Sequence, residues 1–217
     1  MKTATFFNNK GGVGKTTLAV HLALRAAEHH NLRTIAQGLD RQGDLLRWLS
    51  GGDLSVGDGS VYKHSANLTA IYSPNSPTTA RLNADLGVND APPSLALAAR
   101  IQTNLWCVPV DGRLALEDLH NALPDLHASK AGILVIMNRA ETGGARTLAA
   151  LKKACGQTPK IQVWPRAVPD SPAIKRAAEY YRAVWDVPYG ENSEGSKAIT
   201  ELCDGILQYL GLIGGRR

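Results

Sequence analysis

The chain has 217 residues, of which 44% are hydrophobic and 20% charged, and these proportions exclude a disordered or fibrous protein. Its formal net charge of +5 is compatible with a polyanionic partner but does not locate the surface that would bind one. The sequence has no apolar run of about eighteen residues and no signal-peptide pattern, which argues against a membrane span and against secretion. Three cysteines match no metal-ligand spacing, so we expect free thiols in a reducing cytoplasm: Cys107, Cys155 and Cys203.

Predicted strands and helices alternate along the chain, apart from a glycine-rich segment at 51–79 that gives no clear pattern. Strands are predicted at 3–7, 33–37, 85–89, 105–110 and 132–137. Helices are predicted at 16–28, 44–49, 93–102, 114–126, 144–155, 172–185 and 197–210. This alternation predicts an α/β fold, a mostly parallel β-sheet with helices on both faces. Without a visible repeat or linker, we expect one domain over residues 1–217.

The glycine-rich segment KGGVGKTT, residues 10–17, lies between the first predicted strand and the first helix. Its glycines allow successive backbone N–H groups to face one concavity, and the helix N-terminus adds partial positive charge, as in nucleotide phosphate sites. Lys15 would then reach the β- and γ-phosphates, while the Thr16 hydroxyl would bind Mg²⁺. A plain connecting turn is the competing interpretation. The sequence therefore predicts a nucleotide and Mg²⁺ as ligands, with these nucleotide-binding residues: Gly11, Gly12, Val13, Gly14, Lys15, Thr16 and Thr17.

The same segment resembles the deviant Walker A box of the ParA/MinD family of P-loop ATPases, in which an additional lysine precedes the glycines. Lys10 occupies the position of that lysine. The resemblance implies a P-loop fold and a dimer that sandwiches two nucleotides. It also implies that Lys10 contacts the nucleotide of the partner subunit, which makes Lys10 and Lys15 candidate catalytic residues.

After the second predicted strand, the segment LDRQGD resembles the family's DxDPQG switch I box. Asp40 and Gln42 match it, whereas Gly38 replaces the first aspartate and Arg41 replaces the proline. The resemblance implies that Asp40 orients or activates the attacking water. Because position 41 lacks the fixed φ of proline, we expect a less rigid switch and slow or partner-dependent hydrolysis. By the same resemblance Asp44 holds a Mg²⁺-bound water, although an N-cap of the next helix suits it equally.

Further segments resemble the family pattern downstream. In VNDAPPS, which resembles the Walker B and switch II run, the resemblance implies that Asp90 holds Mg²⁺ through water. The segment ILVIMNR, which ends with Asn138 and Arg139, resembles the one whose asparagine contacts adenine. Pro169 lies in VPDSPAI, in the place of a later loop that flanks the base.

The positive charge is concentrated in residues 139–182, which contain nine basic and three acidic residues, while the remainder of the chain is slightly acidic. Helical periodicity turns many of these basic residues outward. A solvated helix face is the plain interpretation of each residue alone, but the cluster indicates salt-sensitive, nonspecific binding to the DNA backbone. The candidate DNA-binding residues are Arg146, Lys152, Lys153, Lys175, Arg176 and Arg182.

The last predicted helix carries one apolar stripe. MinD-like relatives use a C-terminal amphipathic helix to reach the membrane, but this stripe lacks a flanking lysine-rich polar face, so we expect it to pack in the core. The stripe consists of Ile199, Leu202, Cys203, Ile206 and Leu210.

Together, the resemblance implies a ParA-type DNA partition ATPase of the bacterial cytoplasm that associates with the nucleoid when ATP is bound. It would form an ATP-dependent homodimer, bind DNA nonspecifically and hydrolyse ATP when a ParB-type adaptor stimulates it. A MinD-like positioning ATPase on a membrane is the nearest competing hypothesis. The sequence is also compatible with a metabolic P-loop enzyme related to amidoligases or metal-cluster carriers, and with a switch protein that binds ATP without turnover.

Overall fold

A computed structural model of the protein describes residues 1–52, 55, 57–74, 83–94, 100–111, 123, 126, 129–140, 144–156 and 158–214. Its strands are β1 (Lys2–Phe6), β2 (Thr34–Gly38), β3 (Val61–Lys63), β4 (Leu68–Tyr72), β5 (Leu86–Asp90), β6 (Leu105–Asp111), β7 (Gly132–Asn138) and β8 (Ile161–Val163). They form one eight-stranded sheet in the order β3-β4-β2-β5-β1-β6-β7-β8. Every neighbouring pair is parallel except β3 with β4.

Helices cover both faces of this sheet. They are α1 (Lys15–Leu24), which continues as a π-helical turn at Arg25–His29, α2 (Asp44–Leu49), α3 (Gly144–Cys155), α4 (Pro172–Glu179) and α5 (Glu194–Tyr209). Each face of the sheet has its own apolar cluster. Phe6 of β1 packs with Leu22 of α1 in one cluster, whereas the adjacent Phe7 belongs to the other cluster, which contains Leu151 of α3. The predicted α/β fold, a mostly parallel sheet with helices on both faces, is confirmed.

The five predicted strands are confirmed to within one residue at each end. Strands β3, β4 and β8 were not predicted from the sequence. Two of these have only three residues, and β4 lies in the glycine-rich segment without a clear pattern. All three cysteines are buried and free, as predicted.

Several predicted helices need correction. The predicted helix 172–185 ends at Glu179, because Tyr181 adopts a left-handed backbone with φ of 53°. Its buried residues are Ala173 and Ala177, whereas Tyr181 is 38% exposed.

The predicted helix 197–210 starts earlier, at Glu194, because the Ser193 side chain accepts a hydrogen bond from the Ser196 N–H and caps the helix. Helices predicted at 93–102 and 114–126 fall largely outside the described residues. The apolar stripe of α5 is buried in the core as predicted: Ile199, Leu202, Cys203, Ile206 and Leu210.

The central strand β5 is more polar than its position suggests, yet all five of its residues are buried. Asn89 donates a hydrogen bond of 3.1 Å from Nδ2 to the Thr5 hydroxyl of the neighbouring β1. Because this buried amide has a partner, it does not carry the cost of an unsatisfied polar group. The strand therefore brings its last residue, Asp90, to the edge of the sheet where β1 ends.

A buried histidine joins α1 to the segment that follows α4. His21 is fully buried, and its ring makes edge contacts with Trp48 and Trp185 at centroid distances of 5.7 and 5.5 Å. The Val184 N–H donates to Nε2 at 2.9 Å, so the ring proton lies on Nδ1, which donates to the Thr17 carbonyl oxygen at 2.6 Å. Burial lowers the pKa of His21 to about 4.

The neutral state of His21 makes stability depend on pH. In the unfolded chain this imidazole takes up a proton below about pH 6.5, whereas in the folded protein it does so only near pH 4. We compare the free energy of unfolding of wild type with that of His21→Gln. The amount by which the wild-type value exceeds that of the variant should shrink by about 2 kcal/mol between pH 7 and pH 5. Urea unfolding of both proteins at the two pH values measures it. An unchanged difference would contradict the neutral assignment.

Candidate functional site

Most of the predicted site residues meet at one edge of the sheet. In a parallel sheet the carboxyl ends of the strands lie together, and ligands bind outside that edge. The glycine-rich loop follows β1, and Asp40 follows β2. Asp90 and Asn138 are the last residues of β5 and β7. The topology thus brings together residues that are far apart in sequence.

The loop after β1 is an open concavity. Gly12 and Gly14 have φ of 76° and 91°, a backbone conformation that favours glycine. A Cβ added at Gly11 or Gly12 would meet no atom of the described residues within 4 Å. Helix α1 begins directly after Gly14, and no described side chain caps it with a hydrogen bond, so its first N–H groups are left for an anionic ligand.

Two buried asparagines hold the loop in this shape. The Asn8 amide donates to the Pro109 carbonyl oxygen at 2.8 Å and its Oδ1 accepts from the Lys10 N–H at 2.9 Å. Nδ2 of Asn138 donates to the Val13 carbonyl oxygen at 2.8 Å. A Cβ at Gly14 would overlap with this same amide. Asn138, predicted from the sequence to contact adenine, therefore holds this loop through the Val13 carbonyl.

Lys15 is already directed into the loop. Its side chain is buried, and Nζ donates to the Lys10 carbonyl oxygen at 3.0 Å. Burial lowers the pKa of this ammonium group, while the charges of Asp90 and Asp40 oppose the shift. Lys10 itself is half-buried at the start of the same loop. Both predicted lysines thus lie at the concavity.

Thr16 and Asp90 form a pair below the loop. The Thr16 hydroxyl donates to Oδ2 of Asp90 at 2.6 Å. The other carboxylate oxygen, Oδ1, is buried and has no hydrogen-bond partner among the described residues. Burial raises the pKa of Asp90 to about 7, and the charges of Asp40 and Asp44 add to this, against the opposing effects of Thr16 and Lys15.

The segment after β2 is a tight turn. The Gly43 N–H donates to the Asp40 carbonyl oxygen at 3.2 Å, and the Gln42 N–H donates to Oδ1 of Asp40 at 2.9 Å. The N-cap of α2 is Gly43, whose φ is 68°, so the N-cap interpretation of Asp44 is wrong. Asp44 is the first helical residue, where it is exposed and pairs with Arg47 at 3.3 Å.

The residues predicted around the base lie together beyond β7. Arg139 has φ of 51° and an exposed guanidinium whose Nη1 lies 3.9 Å from Oδ2 of Asp111. Ala140 forms a parallel bridge with Pro169, and its N–H donates to the Val168 carbonyl oxygen at 3.0 Å. The structure thus brings Pro169 close to the end of β7.

The basic residues lie mostly on the surface. Lys175 pairs with Asp170 at 2.8 Å, which partly neutralises it. Arg176 differs from the expected outward orientation: it is half-buried, and its Nε has no hydrogen-bond partner in the part of the chain that the structure describes. The exposed members of the predicted set are Arg146, Lys152, Lys153, Lys175 and Arg182.

The family model of the CobQ/CobB/MinD/ParA nucleotide-binding domain matches residues 4–184. The chain belongs to this family. A search among curated proteins found no match.

Solved structures of other proteins share the fold of this CobQ/CobB/MinD/ParA chain. A plasmid partition protein from Borrelia burgdorferi B31 bound to AMPPNP is 18% identical, with a TM-score of 0.73 over 96% of this chain and 99% of that one. A variant of McdA from Cyanothece in complex with ATP is also 18% identical, with a TM-score of 0.75 and coverage of 100% and 99%. MinD from Pyrococcus horikoshii OT3, complexed with Mg-ADP, is 17% identical, with a TM-score of 0.77 and coverage of 97% and 98%.

The residues of this CobQ/CobB/MinD/ParA domain fit a nucleotide with its metal ion. The open concavity at Gly11 and Gly12 and the uncapped start of α1 suit phosphate oxygens. Oδ1 of Asp90, which lacks a partner among the described residues, forms with the adjacent Thr16 hydroxyl an oxygen donor set of the kind that Mg²⁺ prefers. No helix in the described part of the chain has the length and apolarity to cross a membrane.

Two residues of this site were not predicted from the sequence. Asn8 precedes the glycine-rich segment, and a polar residue directly after an apolar strand was the available signal. Tyr72 ends β4, and its hydroxyl donates to the Arg41 carbonyl oxygen at 2.9 Å. No local pattern in the glycine-rich segment 51–79 indicated that contact.

Proposed function

We propose that this family member is a ParA-type partition ATPase, which binds Mg·ATP, dimerises around two nucleotides and binds DNA nonspecifically in that state. The observation that carries the proposal is the Thr16–Asp90 pair beside the buried Lys15 at the start of α1, a set of groups that suits a metal ion and phosphates. The complexes of structural neighbours with AMPPNP, ATP and Mg-ADP support the choice of nucleotide.

The chemistry proposed is phosphoryl transfer to water. Mg²⁺, when bound, neutralises charge on the phosphate oxygens, and Thr16, Asp90 and Asp44 are the residues that would hold it. Lys15, together with Lys10 across the dimer, stabilises the negative charge that develops. The Asp40 carboxylate places the attacking water.

The DNA-binding part of the proposal is supported by the exposed basic residues on α3 and around α4. Exposed cations bind the phosphate backbone without reading sequence, and the binding weakens as salt is added. The resemblance to plasmid partition proteins adds a ParB-type adaptor that stimulates hydrolysis. The apolar stripe of α5 packs in the core, so it does not favour a MinD-like membrane scaffold.

Charge reversal tests the DNA surface. We expect the combined replacement of the exposed residues Lys152, Lys153, Lys175 and Arg182 by glutamate to weaken ATP-dependent binding to unrelated DNA roughly 100-fold, because each lost phosphate contact lowers affinity. ATP affinity stays at the wild-type value, since none of the four residues belongs to the glycine-rich loop at 10–17. Gel shifts with ATP, with ADP and without nucleotide measure the effect, and salt titration gives the number of phosphate contacts.

The control is Lys63→Glu, a reversal at an exposed lysine of β3 outside residues 139–182. It should leave DNA binding unchanged. Co-sedimentation with liposomes, with and without ATP, distinguishes the membrane alternative. ATP-dependent liposome binding without any DNA binding would contradict the proposed function.

A further inference from the structure

Tyr72 connects β4 to the switch I turn. Its ring is buried, and its hydroxyl donates a hydrogen bond of 2.9 Å to the carbonyl oxygen of Arg41, an exposed residue. The two residues are thirty-one positions apart in sequence. The contact therefore joins an exposed loop to a side chain that is fixed in the core.

The turn that receives this bond also orients the Asp40 carboxylate. Asp40 is the first residue of a β-turn closed by the Gly43 N–H, and Oδ1 of Asp40 accepts from the Gln42 N–H. Arg41 is the second residue of the turn, the position where proline is favoured. Neither Arg41 nor Gln42 has a positive φ, which is compatible with a type I turn. In this chain no proline ring restrains the turn.

Gly38 leaves room for the tyrosine. Gly38 and Tyr72 are register partners in β2 and β4. A Cβ at Gly38 would lie 3.8 Å from Cδ2 of Tyr72 and 3.7 Å from Cβ of Leu45, so a side chain longer than alanine would press on the ring or on α2. The two departures from the switch I pattern, Gly38 and Arg41, are thus linked through one side chain.

We propose that Tyr72 is a positioning residue for ATP hydrolysis: its hydrogen bond to Arg41 replaces the restraint that proline gives a switch I turn and fixes the orientation of Asp40. This inference rests on the proposed function, because it assigns Asp40 to the attacking water. Tyr72 acts through the turn and not on the nucleotide. Loss of its hydroxyl should therefore change the rate of hydrolysis and not the affinity for ATP.

The first test is Tyr72→Phe, which removes the hydroxyl and keeps the ring. We expect kcat for ATP hydrolysis, measured with DNA and a candidate adaptor present, to fall roughly tenfold, because small displacements of catalytic groups are costly. The dissociation constant for ATP stays within about twofold of wild type, since the phosphate loop is unchanged. Tyr62→Phe, a hydroxyl deletion on the neighbouring β3, is the matched control and retains the wild-type kcat. An unchanged kcat in Tyr72→Phe, or an equal fall in the control, would overturn the proposal.

The second test restores the restraint by another route. In the Tyr72→Phe background, Arg41→Pro should return kcat to within about threefold of wild type, because proline fixes φ at the second turn position. A merely structural loss at Tyr72 would not be rescued in this way. Equal activity of the single and double variants would overturn the proposal.

Hydrogen exchange measures how well the turn is ordered, independently of ATPase activity. The Gln42 and Gly43 amides, which both donate to Asp40, should lose protection in Tyr72→Phe and regain it in the double variant. If wild type does not hydrolyse ATP, the proposed function fails while exchange still tests the tether. If wild type hydrolyses ATP and protection is equal in all three proteins, the role of Tyr72 is wrong and the proposed function stands.

Discussion

In the Asp40→Ala variant, ATP hydrolysis is expected to fall roughly 100-fold or more, the size of effect typical when a general base is removed. The ATP-bound dimer should still form, because Lys15, Thr16 and the loop that bind the phosphates are unchanged. Asp40 follows β2 at the same sheet edge, and its charge influences the pKa of both Lys15 and Asp90. A carboxylate so placed can accept a proton from the attacking water.

Steady-state phosphate release, with DNA and a candidate adaptor present, measures this loss. Equilibrium binding of ATP and the dimer fraction by light scattering establish that the earlier steps are intact. Glu191→Ala, which removes an exposed carboxylate elsewhere, serves as the control and should retain full turnover. Turnover of Asp40→Ala at the wild-type rate would refute the mechanistic assignment.

Lys15→Ala should abolish measurable nucleotide binding, with a loss of roughly 100-fold or more in ATP affinity. Three carboxylates lie near the loop, and the charges of Asp40 and Asp44 both raise the pKa of the third, Asp90. Without the buried ammonium group of Lys15, these carboxylates face the phosphates with less compensating charge. Titration with a fluorescent ATP analogue measures the change in affinity.

Lys10→Ala is the matched comparison, because it removes a lysine from the other end of the same loop. We expect this variant to bind ATP within several-fold of wild type as a monomer and to lose the ATP-dependent dimer. Thermal unfolding of both variants without nucleotide checks the fold. Burying the charge of Lys15 costs free energy in the folded protein. Because Lys15→Ala removes that charge, we expect this variant to remain folded. Wild-type ATP affinity in Lys15→Ala would contradict the assigned site.

The predictable parts of the molecule are those encoded by contiguous residues. The apolar run of β7 indicates a strand covered on both faces, and KGGVGKTT carries its loop geometry in its own glycines. By contrast, Tyr72 meets Arg41 only because β4 pairs with β2, and that register is a property of the whole sheet. The early end of α4 likewise depends on one left-handed residue, Tyr181, that no helical periodicity reveals.

The asparagines that hold the phosphate loop have a consequence for how this protein recognises its ligand. Asn8 follows β1 and bonds to a carbonyl of β6, while Asn138 belongs to β7, so the concavity is fixed to the sheet itself. The loop is therefore ordered when the chain folds. Its loss of conformational entropy is part of the cost of folding and does not weaken nucleotide binding. A rigid receptor of this kind does not distinguish ATP from ADP by changing shape.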